Sequence, residues 1–165
     1  MKIASFNING IKARIQLLKE WLKNENPDII GLQELKSDNS NLNKNMFADL
    51  GYSFAYNGQK SYNGCGILSK NEIKNTSYSF NGIQEDPQKR WISAEINEIL
   101  ICNLYLPNGN PLGTEKFEYK IHWMNLLYNY LKELQSIGKP IVIMGDFNII
   151  PQDIDCKSPK KWKGI

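Results

Sequence analysis

Four short apolar runs in this chain each stop on a polar residue, and that repetition constrains the fold more than any bulk property. The run Ile141-Val-Ile-Met-Gly-Asp-Phe-Asn148 ends with one carboxylate and one carboxamide together. Ile3-Ala-Ser-Phe6 leads into Asn7, Ile29-Ile-Gly-Leu-Gln33 into Glu34, and Leu100-Ile-Cys-Asn-Leu104 into Tyr105. An acid at the carboxyl end of a buried strand is costly to place there unless it is used. Four strands that deliver polar groups to one rim build the kind of site that binds a metal.

The segments between these runs complete a coarse map. Ile11, Ile15, Leu18 and Leu22 recur at helical spacing, with Leu17 and Trp21 widening the stripe. Asn26-Pro27-Asp28 stops that helix before the strand at 29–32, a strand–helix–strand unit that favours parallel pairing. A polar, Asn-rich loop over 38–45 precedes a short helix near 46–50. Strand-like runs at 52–56, 66–68, 76–80, 91–96 and 100–106 are separated by turn residues and read as antiparallel hairpins. Phe117, Ile121, Met124, Leu127, Leu131 and Leu134 mark a long amphipathic helix that exits at Gly138-Lys-Pro140. The pattern predicts an α/β fold, a mixed-sheet sandwich with helices packed outside.

At 165 residues the chain has room for one domain with a core. Sandwiches flanked by helices often need roughly 200–250 residues, so the ending at Gly164-Ile165, just past a polar turn, reads as unfinished. The net charge of +3 is compatible with a polyanionic partner, and the four lysines of the 157–163 segment read as a solvated tail. Cys65 and Cys102 sit in apolar surroundings and read as small core residues. Nothing points to an oxidising compartment, a leader or a membrane span, so the expectation is a cytoplasmic monomer with no membrane partner.

Glu34 and Asp146 are hard oxygen ligands, and Asn7, Asn9 and Asn148 add neutral donors. That set suits Mg2+, which keeps several waters and takes one or two carboxylates plus substrate phosphate oxygens. It does not suit structural zinc, because neither a cysteine pair nor a histidine pair has ligand spacing. The single histidine, His122, lies in the long helix and reads as a boundary or surface residue, so a histidine-assisted nucleophile is poorly supported. Each candidate also has a plainer use. Asn7-Ile-Asn9-Gly10 makes an ordinary turn and helix cap, and Glu34 pairs with Lys36. Tyr105 fills a core edge, and Asp146 and Asn148 hold a turn.

Five motifs, in order, resemble the exonuclease III and abasic-site endonuclease family of the endonuclease/exonuclease/phosphatase superfamily. They are Lys2-Ile-Ala-Ser-Phe-Asn-Ile-Asn-Gly-Ile-Lys-Ala-Arg14, Pro27-Asp-Ile-Ile-Gly-Leu-Gln-Glu-Leu-Lys36 and Gly58-Gln-Lys-Ser-Tyr-Asn-Gly-Cys-Gly-Ile-Leu-Ser69. Asn103-Leu-Tyr-Leu-Pro-Asn-Gly109 and Ile143-Met-Gly-Asp-Phe-Asn148 complete the set. Gly-Asp-Phe-Asn is shared with superfamily phosphatases; the Gln-Glu-x-Lys and Tyr-x-Pro-Asn signatures narrow the likeness to DNA repair nucleases.

The resemblance implies a DNase I-like four-layer fold, incomplete at the C-terminus, with residues 1–165 as the N-terminal portion of a single domain. It implies a Mg2+-dependent DNA phosphodiesterase of base excision repair, with Mn2+ as an alternative metal. The substrate would be double-stranded DNA with abasic sites or 3′ ends. By motif, Glu34 is the principal metal ligand with Asn7, and Asp146 and Asn148 also reach the metal. Asp146 orients or deprotonates water, Asn148 positions it, and Tyr105 serves a phosphate oxygen or the leaving group. Lys12, Arg14, Lys36, Tyr62 and Asn108 contact the DNA backbone. Leu35 stands where the family has threonine. The family's further metal-site aspartate and terminal Ser-Asp-His have no match here, so weak stability and little nuclease activity are expected of these residues alone. The competing expectations are a superfamily phosphatase or sphingomyelinase-type esterase, and a non-catalytic DNA-binding remnant.

Overall fold

Strand β1 (Ile3–Asn7) passes through Asn9 and Gly10, both at positive φ, into helix α1 (Ile11–Glu25). Asn26 closes that helix in the left-handed conformation, its N–H donating to the Leu22 carbonyl at 3.0 Å, and Pro27 blocks continuation. The chain returns as β2 (Ile29–Gln33), parallel to β1 and fully buried. Strands β3 (Ser53–Asn57) and β4 (Cys65–Ser69) finish a sheet of order β1-β2-β4-β3. A second sheet, β5-β6-β7-β8, is formed by β5 (Lys74–Ser77), β6 (Trp91–Ile96), β7 (Ile99–Tyr105) and β8 (Ile141–Asp146). Helix α2 (Glu115–Gln135) makes the parallel crossover from β7 to β8.

The two sheets pack face to face. Ile29, Cys65 and Ile67 of the first meet Ile92, Ala94, Ile96, Ile101 and Met144 of the second. Leu18 and Leu22 of α1 cover the outer face of the first sheet over Ile30, Leu32 and Leu68. Trp123, Leu127 and Leu134 of α2 cover the second over Trp91, Cys102 and Leu104. The result is the expected four-layer sandwich of mixed sheets between helices, in this computed structural model describing residues 1–159. The lysine-rich segment from 160 onward and the ending at Gly164-Ile165 lie outside the described residues. No helix among the described residues is long and apolar enough to cross a membrane.

Three local readings differ from expectation. Leu17 is 62% exposed, because one residue before Leu18 lies about 100° around the helix from the buried face. The helix near 46–50 is a series of turns ending in one short 3-10 turn, Ala48–Leu50, closed by Gly51 at φ +77°. The strand at 76–80 instead begins at Lys74 and ends at Ser77. Asn75 at φ +48° breaks its register against β6, and Phe80 then leaves the edge to pack on Trp91, Trp123 and Tyr130.

Gly31 sets how closely the sheets approach. A Cβ there would stand 2.8 Å from Asn103 Oδ1 and 2.9 Å from Met144 Cε. Gly31→Ala is expected to cost about 2 kcal/mol by overpacking, read as a Tm lower by roughly 6 °C in a thermal melt.

Candidate active site

Parallel pairing aligns strand ends. Asn7 sits opposite Gln33, the residue before Glu34, and Tyr105 sits opposite Asp146. Face-to-face packing then brings the two rims together. The Asn7 amide nitrogen donates to Glu34 Oε1 at 2.9 Å and to Asp146 Oδ2 at 2.9 Å. One carboxamide thus joins two acids from different sheets, 139 residues separating Asn7 from Asp146. The Tyr105 hydroxyl faces Glu34 closely enough that each shifts the other's titration.

Asn7, Glu34 and Asp146 are also locked to their own turns. Asn7 Oδ1 accepts the Asn9 N–H at 3.1 Å, and Glu34 Oε2 pairs with the Lys36 ammonium at 2.7 Å. Asp146 Oδ1 accepts the Asn148 N–H at 2.9 Å. The plain turn contacts and the site contacts therefore coexist, one atom of each side chain serving each. Glu34, Lys36, Asn9 and Asn148 all adopt positive φ, and this concentration of left-handed residues marks a rim held by its surroundings.

Burial alone would raise the Glu34 carboxyl. Hydrogen bonds from Asn7, Lys36 and Tyr105 and the Lys36 charge outweigh it, and the group is held below the ordinary carboxylate range. Its contribution to stability is accordingly present above the unfolded carboxyl's titration and lost as pH falls from there through the folded group's lower one. Burial first, then the Glu34 bond and charge, push the Tyr105 hydroxyl up to about 12 against the opposing Arg90 charge. At neutral pH Tyr105 is therefore a proton donor beside an ionised carboxylate.

The other expected residues surround this centre. Asn148 donates its amide nitrogen to the Leu106 carbonyl at 2.7 Å and accepts from Asn108 at 3.3 Å. The Lys36 ammonium also donates to Asn9 Oδ1 at 2.5 Å, and the Arg14 guanidinium donates to the Asn9 carbonyl. Lys12 stands exposed on the first turn of α1, outside this bonded set, and His122 is exposed on α2. Tyr62, 69% exposed, and Asn108 line one cleft of ≈ 520 Å³ together with Gln59, Gln88 and Arg90.

Sequence reasoning missed Arg90 and Lys120. The Arg90 guanidinium lies 4.9 Å from the Tyr105 ring centroid and donates to the Tyr105 carbonyl at 3.1 Å. Its signal was positional: a cation just before β6 falls beside the end of an antiparallel β7. Lys120 of α2 donates to the Asn148 carbonyl at 2.7 Å and the Asn108 carbonyl at 3.1 Å, tying both loops. Nothing in the helical pattern distinguishes it.

Among the described residues no cluster of three or more Asp, Glu, His or Cys side chains could hold a metal. Two carboxylates sharing one donor still fit a hard cation that keeps most of its waters, as Mg2+ does. Asn7 meets the two acids through its NH2 group, because two acceptors require the donor end.

A family model described as the endonuclease/exonuclease/phosphatase family matches residues 4–165. The chain belongs to that family. Exodeoxyribonuclease III of Haemophilus influenzae is 36% identical over 171 residues, covering 98% of this chain and 64% of that protein. A DNA-(apurinic or apyrimidinic site) endonuclease of Dictyostelium discoideum is 34% identical, over 99% of this chain and 46% of its own length. An AP endonuclease structure from Archaeoglobus fulgidus superposes with a TM-score of 0.91 at 36% identity, covering 99% of this chain and 63% of that one. The Neisseria 3′ phosphatase NExo, bound to a product DNA hairpin, also gives 0.91, at 33% identity over 98% of this chain and 63% of its own. The chain thus spans less than two thirds of the length of these family members.

Proposed function

We propose that this member of the endonuclease/exonuclease/phosphatase family acts in base excision repair as a phosphodiesterase on double-stranded DNA. It would incise at abasic sites and remove nucleotides from 3′ ends. The observation that carries the reading is the Asn7 amide joined at 2.9 Å to both Glu34 and Asp146. Free, buried Cys65 and Cys102 fit a reducing compartment, the cytoplasm.

Glu34 and Asp146 would hold the cation, Mg2+ with Mn2+ as the alternative, flanked by Asn7 and Asn148. When bound, the cation supplies charge stabilisation at the phosphate oxygens. The remaining work falls to the chain's own groups. Tyr105, protonated and backed by Arg90, donates a hydrogen bond to a phosphate oxygen or to the leaving group. Asp146, oriented by the Asn148 N–H, holds the attacking water and accepts its proton. Lys12, Arg14, Lys36, Tyr62 and Asn108 engage the DNA backbone, which positions the duplex without reading its sequence.

The test incubates the chain with an abasic-site duplex, a 3′-phosphate duplex and an inositol phosphate, with Mg2+ or with EDTA. Slow incision of the abasic duplex that needs Mg2+ and disappears in Asp146→Ala is the expected result. Preferential turnover of the inositol phosphate would move the chain to the phosphatases. DNA binding without Mg2+-dependent cleavage would make it a non-catalytic binder.

A further inference from the structure

Beneath the rim lies a polar layer that the proposed chemistry does not use. Gln33 and Asn103 are 1% and 0% exposed, between otherwise apolar sheet faces. Gln33 Nε2 donates to Asn103 Oδ1 at 2.6 Å. Asn103 Nδ2 donates to the Leu32 carbonyl at 2.8 Å and the Gly66 carbonyl at 2.9 Å. Every hydrogen bond of this β7 side chain therefore runs to the opposite sheet, into the notch that Gly31 leaves open. Gln33 Nε2 also reaches Ser5 Oγ on β1 at 3.1 Å.

We propose that the buried Gln33–Asn103 pair is an inter-sheet clasp that sets Glu34 against Tyr105, which makes both amides positioning residues of the active site. Its catalytic meaning rests on the function proposed above; the clasp itself does not. Gln33 directly precedes Glu34. Asn103 and Tyr105 are two apart on β7 and so point to the same face. Apolar contacts between sheets are non-directional and resist sliding only weakly. A hydrogen bond has a narrow range of length and angle, and a buried amide that loses its partner carries the full desolvation penalty. The clasp thus fixes registry between sheets where two strand ends must meet. A second polar tie, Asn57 Nδ2 to the Trp91 carbonyl at 2.9 Å, lies at the same end of the sandwich.

The test compares Asn103→Leu and Gln33→Met with an apolar control in the same inter-sheet core but at the far end of β6, Ile96→Ala, at temperatures where all are folded. Two readouts are taken on the full chain: nuclear Overhauser contacts between the Tyr105 ring and the Glu34 methylenes, and Mn2+ affinity. Both amide variants are expected to lose the Tyr105–Glu34 contact and to weaken Mn2+ binding about tenfold, while Ile96→Ala keeps both despite a comparable loss of Tm. Gln33→Met leaves Asn103 its two main-chain partners, so it decides the matter if Asn103→Leu fails to fold. An undisturbed Tyr105–Glu34 contact in the amide variants, or an equal loss in Ile96→Ala, would overturn the clasp. A wild-type chain that binds no Mn2+ would sink the metal reading alone, and the ring contact would still judge the clasp.

Discussion

Glu34→Gln is expected to weaken Mn2+ or Mg2+ binding by about a hundredfold and to abolish any cleavage of abasic DNA, with only a small loss of Tm. Glutamine keeps the shape and one acceptor oxygen for the Asn7 amide, so that bond persists while the Lys36 ion pair and the negative charge disappear. The small loss is the stability that the lowered carboxyl contributes through its bonds to Asn7 and Lys36. Lys36 loses its ionic partner but is one-third exposed, which limits the penalty. Electron paramagnetic resonance of free Mn2+ measures the affinity, and a thermal melt measures the fold. Unchanged affinity in Glu34→Gln would exclude this acid as a ligand.

Gly145→Ala is the largest structural lesion on offer. Gly145 sits opposite Leu104 at φ +149°, and a Cβ there would lie 2.0 Å from the Leu104 carbonyl oxygen. The obstructing atoms are backbone, so no side-chain rotation relieves them. β8 must move away from β7, and Asp146 moves with it. Strain and overpacking together are expected to cost about 3 kcal/mol, lowering Tm by roughly 6–12 °C. Metal affinity should fall even in the fraction that stays folded, because Tyr105 and Asp146 no longer end in register. An alanine variant that melts like the wild type would mean the strand pair separates freely.

The strand ends were legible because they obey a local rule: an apolar run, then a polar residue at a turn. Asn7, Glu34, Tyr105 and Asp146 could be singled out on that ground, and their convergence follows from two parallel crossovers stacked face to face. The five motifs brought out the family likeness. Arg90, Lys120, Gln33 and Asn103 were not legible in the same way. Gln33 and Asn103 lie inside runs that read as buried strand, where a carboxamide has a purpose only once the opposite sheet is in place. Arg90 depends on which strand lies beside β6, and Lys120 on which loops fall over α2. The misjudged strand at 76–80 has the same origin, since Phe80 leaves the edge for a tertiary aromatic pocket that its own neighbours do not announce.

Among the described residues the first sheet draws its strands from residues 1–69 and the second from residues 74–146, with no strand exchanged between them. Each sheet is thus contiguous in sequence, and neither stretch alone carries both acids. A polypeptide cut within 70–73 would present two complementary pieces, and recovery of metal affinity on mixing would report their reunion. In such an architecture the two acids come within reach of one cation only where the sheets dock.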